Sequence, residues 1–136
     1  MSEEGKRYYE LREEQYDLEM DVYDTLKDIQ DLRKKVASQH KKSFKDYKSI
    51  EEKLMKAAEE KEKGRPDKSF KLEVAVKKLE ASIAEKELRI RELEVKIADK
   101  EQELNKREQK VQETQKEADA AEIVEKKAES ADDEDF

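Results

Sequence analysis

Cysteine and tryptophan are absent from this 136-residue chain; proline and histidine occur once each and glycine twice. Without cysteine there is no disulfide staple and no thiolate metal or redox centre. No His-based triad is recognisable, and with one histidine and no cysteine a metal site would have to rest on carboxylates alone. Gly5 and Gly64 are too far apart in sequence to form a phosphate-cradling glycine loop. No apolar run approaches the roughly 20 residues of a membrane helix, and Met1–Gly5 has no secretory pattern. These absences predict an intracellular, cytoplasmic, soluble protein that is not an enzyme. They also predict no catalytic residues, cofactor, metal, membrane association or small-molecule substrate.

What the chain does contain is charge. Charged residues make up 51% of it and the hydrophobic class only 34%, with aromatics at 6%. A round single-core globule of this length needs more apolar material. The composition leaves two alternatives, disorder or long helices with a narrow apolar seam, and periodicity separates them.

The one strong helix-breaking cluster is Lys63-Gly64-Arg65-Pro66-Asp67. Proline in a helix interior loses a hydrogen bond and clashes with the preceding turn. Gly64 suits a C-terminal cap, and Asp67 or Ser69 can accept from the free amides that open a second helix. Elsewhere Lys, Glu, Ala, Leu, Arg and Gln dominate, residues that lose least on entering a helix. The reading is an all-α chain, a long two-helix antiparallel coiled-coil hairpin over residues 1–127. Helix 1 is expected over about 4–62, the turn over 63–68 and helix 2 over about 69–127, each helix roughly 85–90 Å long. Residues 128–136 form an acidic tail expected to stay flexible, with Phe136 as a candidate anchor.

The second helix carries an unbroken seven-residue column of Val76, Ile83, Ile90, Ile97, Leu104 and Val111, followed by Ala118. Three residues on from each runs a mixed column: Leu79, Lys86, Leu93, Lys100, Arg107, Thr114 and Ala121. The basic members can lay their stems on the seam and keep their heads in water. A seven-residue period implies a left-handed supercoil with a partner helix. In the first helix the column is Tyr8, Gln15, Val22, Ile29, Val36, Ser43, Ile50 and Ala57. Its companions begin as Leu11, Leu18, Thr25 and Leu32, and then the apolar residues move to the other flank as His40, Tyr47 and Leu54. That shift predicts a straighter first helix, or a stutter near Val36–His40. Folding at the break pairs residues whose numbers sum to about 130, which sets Leu54 on Val76, Tyr47 on Ile83 and Leu11 on Ala118. Two chains pairing in parallel, with the break as a kink, would use the same stripes.

Charge is unevenly spread. Residues 1–34 carry net −5, 35–79 net +6, 80–113 net −2 and 114–136 net −6. In a hairpin this gives a basic tip and acidic feet, a field able to steer partners. Lys41, Lys42, Lys45 and Lys48, with Phe44 and Tyr47 between them, are the candidate phosphate contacts. The acidic total and the nearby Glu51 and Glu52 weigh against nucleic acid, and a solvated lysine face accounts for them better.

Two further apolar lines lie away from the seams: Tyr9, Tyr16 and Tyr23 on helix 1, and Val74, Ala81, Leu88 and Val95 on helix 2. A two-helix hairpin needs one seam per helix, so extra lines point to a protein partner or to self-association into a higher-order bundle. His40, placed on the shifted seam, is read as a half-buried packing residue. No motif identifies a family. The shape alone resembles prefoldin subunits, stalk-type export chaperones, viral assembly scaffolds and transcript-cleavage factors, an analogy that transfers no function. The expected function is a structural or assembly protein, a scaffold, spacer or adaptor acting through helix–helix contacts. A holdase-like or export chaperone using the tyrosine face is the first alternative, and a nucleic-acid-associated protein using the basic tip is the second.

Overall fold

The computed structural model describes residues 2–134, and the side chains of all of these except Glu4 and 131–134. Two long helices, α1 (Glu3–Glu62) and α2 (Pro66–Glu134), make up the chain and pack against each other as a helical hairpin, with no strand among the described residues. Ser2 caps α1, its hydroxyl accepting from the Gly5 amide at 3.1 Å. This satisfies one of the four amides that a helix start leaves free.

The break between the helices is a Schellman turn. The Arg65 amide donates to the Glu60 carbonyl at 2.8 Å and the Gly64 amide to the Lys61 carbonyl at 3.1 Å. Gly64 sits at φ 74°, in the left-handed region where a Cβ is strained. Pro66 then opens α2. The expected start at Ser69 is therefore too late, because proline at the first helical position has no amide to lose and its fixed φ already suits a helix. The first amide of α2 to find a backbone partner is that of Ser69, donating to Arg65 at 3.2 Å. At the far end α2 continues past Lys127 to Glu134. Phe136 lies outside the described residues.

The chain divides into two compact units, Met1–Ile29 with Asp99–Phe136, and Gln30–Ala98. In the first unit Leu11 packs with Ala118 and Ala121, with Tyr8 against them, so small α2 residues lie opposite bulky α1 residues as the register expects. Thr25 and Ile29 are buried in the same unit. In the second unit Leu93 is the most enclosed large side chain at 1% exposure, and Val76, Ile83, Ile90 and Ala57 are buried with it. Cross-helix pairs confirm the antiparallel register: Arg12 with Asp119 sums to 131, Asp46 with Lys86 to 132 and Asp28 with Lys100 to 128.

The seam of α1 differs from the expectation in one respect. Its companion column does not change flank. Burial continues every seven residues from Leu32 through Gln39, Asp46, Lys53 and Glu60, all half-buried, whereas His40, Tyr47 and Leu54 are exposed. Leu54, expected in the seam, is 47% exposed, and His40 is not a seam packing residue. The physical reason lies on the other helix. A strict seven-residue repeat on α2 requires α1 to follow the same supercoil. Among the polar α1 positions Asp46 meets partners on α2: Lys86 and Ser82 both donate to its carboxylate. The apparent stutter disappears, and both helices obey one period.

Candidate interaction faces

Labelling the seam columns a and d puts Tyr8 and Val76 at a, and Leu11 and Leu79 at d. Around each helix the order from the seam is then e, b, f, c, g. One broad side of each helix pair carries e and b, the other g and c, and f points directly away from the seam.

The seam itself is partly polar. Arg107 donates to the Thr25 hydroxyl and, at 3.4 Å, to the Asp21 carbonyl, while the Thr25 hydroxyl donates to that same carbonyl at 2.9 Å. Lys100 lies 3.7 Å from Asp28. The basic α2 column therefore finds acceptors across the interface instead of reaching only for water. Lys86, through its hydrogen bond, holds the Asp46 carboxyl below its ordinary value. Near the chain start Arg12 joins Asp119 at 2.6 Å and Gln15 at 2.7 Å, and stacks 5.3 Å from the Tyr8 ring. The Tyr8 hydroxyl and Asp119 raise its pKa, so the guanidinium stays charged.

The sides are not equivalent. Fifteen large apolar residues are exposed among the described residues. Fourteen of them stand at e, b or f; Val124, at g, is the exception, and none is at c. In the first unit Tyr9, Tyr16 and Tyr23 occupy b of α1 at 58%, 58% and 68% exposure. On the opposite side of that α1 segment c and g are all acidic from Glu10 onwards, with Glu10, Glu14, Asp17, Asp21, Asp24 and Asp28, while Arg7 stands at g before them. In the second unit Phe44, Tyr47, Leu54 and Phe70 lie on the e/b side, and Val74, Leu88 and Val95 at f of α2. By unit, Gln30–Ala98 carries 20 basic and 14 acidic residues, net +6, and the other unit 11 and 24, net −13.

Sequence reasoning missed a row that its own period contains. Position e of α2 is glutamate at 73, 80, 87, 94, 101 and 108. In the second unit this row borders the exposed e residues of α1. The Tyr47 hydroxyl donates to Glu87 at 3.2 Å, and the Glu87 charge, with burial, pushes the phenol pKa up. His40, Ser43, Tyr47, Glu87, Ile90, Arg91 and Glu94 line a shallow groove there. A second groove, in the other unit, is lined by Glu19, Val22, Tyr23, Glu108, Val111 and Gln112.

The expected seam residues of α2, Val76, Ile83 and Ile90, are buried, and Ile97, Leu104 and Val111 half-buried. On α1, Ile29 is buried and Val22, Val36 and Ile50 half-buried, leaving Leu54 as the misplaced member. Tyr9, Tyr16, Tyr23, Leu88 and Val95 are exposed. Lys41, Lys42, Lys45 and Lys48 are exposed too, and only Lys41 and Lys48 flank Phe44 on one surface. Lys42 and Lys45 stand at g and c, Lys41 and Lys48 at f, while Phe44 and Tyr47 stand at b and e. No group of three or more metal-ligating side chains comes together among the described residues, and no described helix is long and apolar enough to cross a membrane. Compared with known proteins, the chain matches no family model, no curated protein and no solved structure.

Proposed function

We propose that this chain is a non-catalytic assembly protein, a helical scaffold, spacer or adaptor that works through helix–helix contacts on one side of its hairpin. The observation that carries this reading is the sidedness of the exposed apolar residues. Scattered surface apolar residues are ordinary and would fall on all outward positions. Here the large ones are confined to e, b and f with the one exception Val124, and g and c are polar apart from that valine and the small Ala75 and Ala120 among the residues whose side chains are described. Such segregation marks a surface that other helices cover. A holdase-like chaperone would draw on the same tyrosine row. A nucleic-acid reading would draw on Lys41 and Lys48, which share a surface with Phe44, while Lys42 and Lys45 lie on the other side.

The test uses adjacent residues on opposite sides. A photo-crosslinker placed at Tyr16 or Phe44 should give protein adducts, whereas one placed at Asp17 or Lys45 should give none. Adducts only at Asp17 and Lys45, or equal yields at all four, would refute the reading.

A further inference from the structure

In the first unit the e and b side is an apolar face rimmed by carboxylates. Tyr9, Tyr16 and Tyr23 stand on one line of α1 over about 21 Å of helix, all well exposed. Beside Tyr23 a shallow groove runs between the helices, lined by Val22 and Val111 at a and by Glu19 and Glu108 at e. Another groove, beside Tyr8 and Tyr9, is lined by Glu122, Glu125 and Glu129. Among the described residues no ion pair reaches Glu13, Glu19, Glu108 or Glu129.

The same unit displays what tyrosines and carboxylates on this side hold when a cation is at hand. The Arg12 guanidinium lies 5.3 Å from the centre of the Tyr8 ring, 2.6 Å from Asp119 and 3.5 Å from Glu122. A ring against the face of the cation and carboxylates at its edge is an arrangement that ring quadrupole and charge both favour. The Tyr23 groove has the same parts, a tyrosine and two glutamates, and no described cation pairs with either glutamate.

We infer that this face takes a basic amphipathic helix of another protein, its arginine or lysine side chains seated between the tyrosines and the glutamates. The inference rests on the assembly reading above and names the partner by its chemistry. A helix fits because the tyrosines recur every seven residues, the spacing at which a helix lying along them presents its own side chains. Its cations answer the unpaired glutamates and the unit's net charge of −13. Its apolar residues answer Met20 and Leu26, exposed on either side of the tyrosine line. A second copy bringing the same face would set Glu13, Glu19 and Glu108 against themselves, and the phosphates of nucleic acid would be repelled.

The experiment titrates the full chain into a labelled helical peptide about three heptads long, with arginine at every seventh position and leucine in the columns beside it. Fluorescence anisotropy should show binding that weakens as salt rises, and none to the same peptide with glutamate for arginine. Glu19→Lys with Glu108→Lys should raise the dissociation constant at least about 10-fold, since close charge pairs across an interface couple strongly. Asp17→Lys with Asp24→Lys, the same charge change at c, should raise it less than about 3-fold, because its effect is screened. Tyr16→Ser with Tyr23→Ser should weaken binding about 10-fold while the circular dichroism spectrum stays helical. Equal binding of the two peptides, equal losses from the two charge reversals, or full binding without the tyrosines would overturn the inference. So would a chain that dimerises alone and cross-links through Tyr16→Cys, the face then being taken by a second copy. An arginine peptide that fails to bind removes the basic partner, while the assembly reading keeps its own test, adducts at Tyr16 against Asp17.

Discussion

Replacing Leu93 by alanine asks whether the seam lies where the burial places it. Leu93 is 1% exposed, at the d position of α2, in the second unit. Truncating a buried leucine removes its transfer free energy and leaves a cavity, together about 3 kcal/mol. For an all-helical chain of this length that is a drop of roughly 10 °C in melting temperature. Leu54→Ala is the matched control. The apolar pattern of α1 puts Leu54 in the seam, but at 47% exposure it has little burial to lose. Leucine and alanine are both good helix formers, so its loss should stay below about 1 kcal/mol. The assay is thermal unfolding followed by circular dichroism, with both variants and the wild type at one protein concentration, since self-association makes melting depend on concentration. Equal losses, or a larger loss for Leu54→Ala, would refute the continuous heptad and return the seam to its other flank.

Two further outcomes follow from the same structure. Gly64→Ala should cost about 1 kcal/mol, because Gly64 sits at φ 74° while its Cβ would meet nothing within 4 Å. Backbone strain and not crowding is then the cause, Gly64→Asn should cost less, and a neutral Gly64→Ala would argue against the Schellman turn. The Asp46–Lys86 contact gives stability a pH dependence. Because Lys86 holds the Asp46 pKa down in the folded state, the unfolded chain binds that proton more tightly. The contribution is complete above the ordinary aspartate value near 4 and is lost as pH falls through the lower folded value. Asp46→Asn should therefore melt below the wild type at neutral pH, and the gap should close in strong acid; a gap that does not change with pH would remove the ion pair from the account.

The two helices, their break and the antiparallel register are all legible in the amino-acid sequence. Long-chain helix formers, one Gly-Arg-Pro cluster and the column Val76–Val111 are local or periodic signals, and neither kind depends on what packs opposite. The register comes within a few residues because the apolar columns of the two helices align at one sum. The start of α2 falls three residues earlier than the sequence suggests, since proline serves as well inside the first turn as before it.

The second half of the α1 seam is not legible in this way. Gln39, Asp46, Lys53 and Glu60 do not look like interface residues, and apolarity alone favours His40, Tyr47 and Leu54. The other helix stabilises a polar side chain in the seam when it brings a partner, as Lys86 and Ser82 do for Asp46. That is a property of two segments far apart in sequence, so only their packing decides it. The sidedness of the exposed apolar residues depends on the same decision, because positions e, b and f have meaning only once the seam is placed. Helix, turn and period are thus determined by the chain itself, while the polar layers of the interface and the side left open for a partner are settled by tertiary structure.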